Sequence, residues 1–583
     1  MWLSSLVGGS TAKGGIGRRL NFEVQAYKVD HWVIEEICAS EEEAKAVATR
    51  LLPLREGVRI VRDFTGAPGM PPTQTILFSE MRDGQTRAIT VQPVDEAPLC
   101  MESTDYLQEG SRQVISRMLR QYLEERSLTA SELLYNAGEM KRAFNYENMV
   151  PIAVGRVATV QGKAASLDMR ERRDQIYASL TELQNRADAA QKRAPFSIRQ
   201  DGFTTAMTKA AALGAGDPAT VDYLSKVVFC RDLVQIRNLL GKVEWLLETA
   251  ADAANGPASH LAIIDTLVAD AISFPSVVQD LLGRQPDLGT ALGRLLDVLD
   301  GQFETDGRES APAITAILSR WLGTGQAPQS GQVMFESLLR SLRGTAPLAR
   351  DPQRNRAAFS QLTARVITPS GLIGGSRMAE ALTSGYLRFL EQGGSEGRRL
   401  SIDGMLGIIA LPRDRALYLT ELADSDLGRR EMDTLVVRLR PLLGRGMDVN
   451  TLVGAQVPLK PKMQAMAALY RAIGASGLPG EEAERLADQV DGMVADYIVA
   501  SRVIEKLDDP GASLRVRATR LMQFAANDVL SSPKARRMVR DQIVGHLRQP
   551  NFDGKFVEGL SSPQEQAQAL RNFHNLLRQA DFV

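Results

Sequence analysis

The residue types that most often do chemistry are scarce and scattered in this chain. Its four histidines, His31, His260, His546 and His574, each lack a second His, Cys or carboxylate at a zinc-ligating spacing. The three cysteines, Cys38, Cys100 and Cys230, are odd in number and far apart. They form no C-x-x-C, so neither a disulfide framework nor a redox pair is expected. No serine sits in a G-x-S-x-G elbow. No catalytic residue, metal ligand or cofactor is therefore assigned. A site assembled from distant residues leaves no local signature, and an enzyme of that kind stays open as a second alternative.

Three glycine-rich stretches bear on phosphate binding. Lys13 lies in GGSTAKGGIG, but a phosphate loop requires G-x-x-x-x-G-K-[ST] after a strand, and none precedes it. Leu213 to Ala219 contains G-x-G, yet it follows a helical pattern, and Pro218 suits the first position of the next helix. Ser370 to Ser376 lies between a helix ending near Thr368 and one beginning near Arg377. Both read as helix-to-helix turns.

The stretch LTASELLYNAGEMKRAF, residues 128 to 144, points most directly at a ligand. Thr129 with Glu132 forms a capping box, Leu133 follows at an apolar position, then Gly138 and Phe144. Over about 20 residues this resembles the phage-repressor-like helix-turn-helix family. The resemblance implies a reading helix, with Lys141 and Arg142 in reach of phosphates. Three positions depart from that pattern: bulky Leu134 replaces the usual small residue, Glu139 stands at a core position, and Met140 cannot cap a helix. The expectation is two short packed helices joining the N-terminal part to the rest, with DNA reading as the alternative.

Charge offers a second nucleic-acid candidate. The net charge is −1, so the whole molecule does not attract polyanions. Of the 69 basic residues 14 are Lys and 55 Arg, a bias matching a GC-rich coding sequence. Glu481, Glu482, Glu484, Asp488, Asp491 and Asp496 make one helix acidic, while Arg515, Arg517, Arg520, Lys534, Arg536, Arg537, Arg540 and Arg548 make the following ones basic. Arg536, Arg537 and Arg540 are the candidate phosphate contacts; mutual neutralisation of adjacent helices is the simpler expectation. Aromatic content of 5% argues against stacking platforms for single strands. Tyr27 and Trp32 are the candidate exposed aromatics for a partner.

These residues must be positioned by two kinds of element. From Asn21 the grammar is α/β: NFEVQAYK sets Phe22, Val24 and Ala26 against Glu23, Gln25 and Tyr27 at the period of a strand, and HWVIEEIC completes a hairpin. Ser40 and Glu43 cap a helix with Ala44, Val47, Ala48 and Leu51 on one face. Gly57 to Phe64 is the next strand. TILFSEMR and TRAITVQP then flank Asp83-Gly84 as a second hairpin, giving about five strands and one helix. Beyond Glu102 the chain reads as helices punctuated by Gly and Pro. They include an amphipathic run Leu233, Ile236, Leu240, Val243, Leu247 and starts at Ser532-Pro533 and Ser562-Pro563.

Two heptads stand out, Met169 to Ala190 and Leu486 to Leu507. The octets Arg294 to Gly301 and Ser337 to Gly344 lie 43 residues apart, a spacing compatible with a two-helix repeat. At 583 residues several domains are expected: a lead-in over 1–20, the α/β module over 21–98, a helical connector over 99–195, and helical domains over 196–394 and 395–583. The fold class is predominantly α, a small α/β module followed by a long all-helical array or stacked bundle.

Apolar runs such as Leu261 to Ile264 fall short of the roughly 20 residues of a membrane span, and MWLSSLVGG lacks the basic segment of a signal peptide. The functional expectation is a cytoplasmic, non-enzymatic interaction or regulatory protein, scaffold-like, that binds protein partners through the α/β module and an extended helical surface. A nucleic-acid-binding regulator is the alternative. Self-association through residues 486–507 is open.

Overall fold

The computed structural model describes residues 19–28, 31–52, 55, 57–65, 73–81, 90–304, 313–391, 393–525, 529–580 and 582. Residues 1–18 of the expected lead-in with Lys13, the loop at Pro68 to Pro72, and the Asp83-Gly84 turn lie outside them, while Arg19 and Leu20 of that lead-in already belong to a strand. The chain divides into two compact units, Met1–Thr90 and Val91–Val583.

The first unit is a four-stranded antiparallel sheet with one helix. Its strands are β1 (Arg19–Lys28), β2 (His31–Cys38), β3 (Gly57–Thr65) and β4 (Thr73–Met81), in the order β2-β1-β3-β4. The alternation of β1 decides its faces: Phe22, Val24 and Ala26 are buried. Phe22 and Val24 join Cys38, Val58 and Ile60 in a core closed by Ala44, Val47 and Ala48 of α1 (Glu41–Leu51). Ser40 caps α1, its hydroxyl accepting from the Glu43 N–H at 3.2 Å. The expected fifth strand, Thr86 to Pro93, lies partly outside the described residues. Residues 86–89 are outside the described set, and residues 90–94 carry no strand. Val91 is buried and the Gln92 N–H donates to the Met118 carbonyl at 2.9 Å, so this segment follows a helix instead of a sheet edge.

The second unit is helical apart from a two-residue hairpin pairing Ile367–Thr368 with Gly371–Leu372. Its helices pack in succession. Leu239–Ala253 lies on Ala258–Ile272, which packs on Pro328–Arg343, then come Ser376–Tyr386, Pro412–Ala423, Leu459–Ala475, Gly480–Ala500 and Pro533–Leu547. One close crossing depends on glycine. A Cβ on Gly385 would stand 2.3 Å from the Leu342 carbonyl oxygen, so only a bare backbone fits there.

Two helix readings are corrected. The run from Leu233 to Leu247 is not one helix. Pro218–Leu233 ends, and the Asn238 side chain caps a new helix, Leu239–Ala253, by accepting from the Gly241 N–H. The second heptad is likewise broken, because Gly480–Ala500 stops and Arg502 adopts a left-handed φ of 50° before Val503–Leu507 begins. The fully buried stripe is Leu486, Val490, Val494 and Ile498, a run of fours, and it is covered by Leu459–Ala475 and Pro533–Leu547. The first heptad holds in part: Met169–Arg193 is one helix, with Ile176, Leu183, Ala187 and Ala190 buried, Leu180 half-buried and Met169 exposed. No single helix among the described residues is long and apolar enough to cross a membrane. The pair Ala258–Ile272 and Pro275–Leu282 passes that test only together, and it bends by 96°.

Candidate functional site

The face of the sheet opposite α1 gathers the exposed apolar residues of the first unit. Cross-strand register sets Glu23, Gln25 and Tyr27 of β1 on this face, with Arg59 and Val61 of β3 opposite Gln25 and Glu23. On β2 a bulge decides the outcome. Val24 pairs with Glu36 and Gln25 with Ile34, so Glu35 is the extra residue. Without it, Ile37 would point at α1 and Cys38 away. With it, Trp32, Ile34 and Ile37 share the outer face while Val33, Glu36 and Cys38 share the inner one.

Ile34 and Ile37 are 49% and 61% exposed, and Tyr27 and Trp32 half-buried. The Tyr27 and Trp32 rings meet edge-on at 5.2 Å, and the Arg59 guanidinium lies 4.6 Å from the centre of the Trp32 ring. A polar chain holds that guanidinium in place: Arg59 Nε donates to Gln25 Oε1 at 2.8 Å, and Gln25 Nε2 to Glu23 Oε2 at 2.8 Å. Burial pulls the Arg59 guanidinium below its ordinary range, with Glu23 opposing. The carboxylates of the bulge are tied down: Glu35 pairs with Arg55 at 3.1 Å and Glu36 with Arg50 at 2.9 Å. The arrangement offers an aromatic and aliphatic contact surface around one fixed cation. The sequence pointed to Tyr27 and Trp32. Ile34, Ile37 and Arg59 were missed, because a bulge and a register have no local signature.

The 128–144 stretch is built into the second unit. Thr129 caps Ala130–Tyr135, with the reciprocal Glu132 contact present. Asn136 alone separates this helix from Ala137–Phe144, where a helix-turn-helix has a three- or four-residue turn, and Gly138 lies inside the second helix. The departures from the family pattern have a packing reason. Leu134 and Met140 are buried and line an apolar cavity of about 100 Å³ with Val114, Met118 and Val154. Lys141 and Arg142 are exposed, and Arg142 pairs with the buried Glu139 carboxylate.

The C-terminal arginines lie on a helix of their own, Pro533–Leu547. Arg536 is half-buried, donates to the Ala580 carbonyl and faces the Phe582 ring, while Arg537 and Arg540 are exposed on Pro533–Leu547. Part of the opposed charge is neutralised between helices. Lys534 pairs with Asp488 at 2.5 Å, and Asp491 accepts from the Ser532 hydroxyl and the Lys534 N–H. Asp508 accepts from Arg517 Nε at 2.7 Å and faces His546 Nε2 at 2.7 Å. Among the described residues no three His, Cys, Asp or Glu side chains are grouped to hold a metal ion, and Cys38, Cys100 and Cys230 are buried thiols. No family model, curated protein or solved structure matches the chain.

Proposed function

We propose that this chain is a non-enzymatic cytoplasmic interaction protein, scaffold-like, that docks a protein partner on the outer face of its N-terminal sheet. The observation carrying this reading is the exposure of Ile34 and Ile37 beside the half-buried Trp32 and the fixed Arg59. Aromatic residues and arginine are the side chains that dominate protein interfaces. The aliphatic residues add area that water must leave on docking. The partner this face suits presents apolar side chains at its centre and a carboxylate or carbonyl toward Arg59. β2 is also an edge strand, so an extended partner segment can align beside it.

The test is capture of partners by the tagged full-length chain from its native cells, compared with an Ile34→Ser/Ile37→Ser variant. Neither side chain belongs to the core under α1, so the variant folds. Proteins retained by the native chain and lost by the variant support the reading. Equal retention by both, or nuclease-sensitive nucleic acid as the main retained species, counts against it.

A further inference from the structure

The second unit contains a polar cavity of about 420 Å³ that the proposed docking face does not involve. Three helix starts border it. Gln108 and Glu109 open Glu109–Met118, Ala219 lies in the first turn of Pro218–Leu233, and Gln329 in that of Pro328–Arg343. Asp217 caps the second of these and Asp265 receives the Gln329 and Ser330 N–H groups of the third, but no side chain caps the first. Helix starts carry partial positive charge.

The side chains around the cavity hold more donors than the protein uses. The acids are committed: Asp222 to Lys226 at 2.8 Å, Glu109 to the Gln113 amide at 2.9 Å, and the neighbouring Asp270 to Arg112 and to the Ser131 hydroxyl. Arg112 is spent on Asp270, the Leu107 carbonyl and Gln329. Arg186 is different. Among the described residues its guanidinium has no ion pair or hydrogen bond, and it lies 4.0 Å from the centre of the Tyr223 ring. Tyr223 is 6% exposed and its hydroxyl has no hydrogen-bond partner in the protein. Tyr135, 3% exposed and stacked at 5.3 Å on Tyr223, also makes no hydrogen bond through its hydroxyl among the described residues. Burial pushes the Tyr223 phenol up to about 12 and Tyr135 further, so both keep their protons at neutral pH.

An unpaired guanidinium bordering a cavity is a ready partner for an anion, because its planar fork matches phosphate and carboxylate oxygens. We propose that this cavity is a binding site for a small organic anion whose phosphate or carboxylate group is held by Arg186, the unpaired cation of its lining, which rests on the Tyr223 ring. The volume lies within the range of small-molecule sites, and Arg186, on the rim and half-buried, is the charge that selects an anion.

The experiment measures binding of three probes, inorganic phosphate, citrate and adenosine monophosphate, to the full chain by calorimetry. The rise in unfolding temperature with each probe is a second readout. At least one probe binds, and phosphate against citrate distinguishes the two anion chemistries. Arg186→Gln weakens that binding by about tenfold or more, and Tyr223→Phe, which keeps the ring beneath Arg186, leaves it within about twofold, with unliganded unfolding temperatures close to native. Absence of binding by all three probes overturns the proposal. So does a probe whose affinity Arg186→Gln leaves unchanged.

Discussion

The Lys242 ammonium donates to the Glu132 carboxylate in a site where the two side chains are 1% and 0% exposed. Glu132 serves two elements at once: Oε2 accepts from the Thr129 N–H at 2.8 Å, and Oε1 faces the lysine of Leu239–Ala253. The short helix that resembles a DNA-reading motif is thereby fastened to a helix far along the chain. Lys242 also donates to the Ser127 carbonyl at the start of the stretch.

Removing one partner of this pair strands a buried charge. Lys242→Met is expected to lower unfolding stability by about 3–5 kcal/mol. Glu132→Gln/Lys242→Met recovers a large part of that loss, because neither group then needs a counter-charge. Urea unfolding of the three chains measures both numbers. Equal loss in the single and double variants would show that the pair is not coupled.

Two glycines in helices carry opposite expectations. At Gly385 a methyl group meets the Leu342 carbonyl, so Gly385→Ala costs about 1–3 kcal/mol through overpacking. At Gly492 a Cβ meets nothing within 4 Å, so Gly492→Ala stabilises by about 0.5–1 kcal/mol through helix propensity alone. Thermal unfolding of both variants checks the contrast in sign.

Glu421 gives stability a pH dependence. Burial pushes its carboxyl up to about 7, opposed by the Leu372 N–H it accepts from and by Arg413. Between the ordinary carboxylate range and that value the folded chain binds more protons than the unfolded one, so this contribution falls as pH rises from about 4.5 to about 7. It amounts to at most about 3 kcal/mol, less with partial solvent screening. Glu421→Gln flattens the dependence in that window and leaves the variant more stable than native above it. Chemical unfolding at pH 5 and pH 8 reads the difference between the two chains.

The sheet separates docking from folding. Ile37→Ser, on the outer face, is expected to change stability by less than about 0.5 kcal/mol. Ile60→Ala, in the core against α1, costs about 2–5 kcal/mol. Loss of partner capture by the first without loss of stability separates contact from scaffold. A large loss of stability in Ile37→Ser would show that the outer face is packed.

What the amino-acid sequence determined by itself was local. Alternating Phe22, Val24 and Ala26 dictate the buried face of β1, because successive side chains of a strand point to opposite sides. Ser40, Thr129 and Ser562 begin helices, because their oxygens reach N–H groups two or three residues on. Local patterning also overreached. Leu233 to Leu247 keeps helical spacing across a real break, and Leu486 to Leu507 keeps a heptad across a turn, because period alone does not register a cap or a left-handed residue. The end of the expected fifth strand, Thr90 to Pro93, carries no strand. Its described residues bond to Met118, a partner that alternation cannot name.

Tertiary structure alone decided the candidate sites. The bulge at Glu35 turned Ile37 outward, and register across β1 and β3 brought Arg59 over Trp32. The cavity holding Arg186 and Tyr223 draws on segments from Thr104 to Gln329. Glu132 marks the division within a single residue. Its bond to Thr129 spans three positions and was legible as a capping box, whereas its bond to Lys242 spans 110 and depends on how helices pack. A contact across that separation forms only after the intervening chain has folded, so no pattern within a helix or strand announces it.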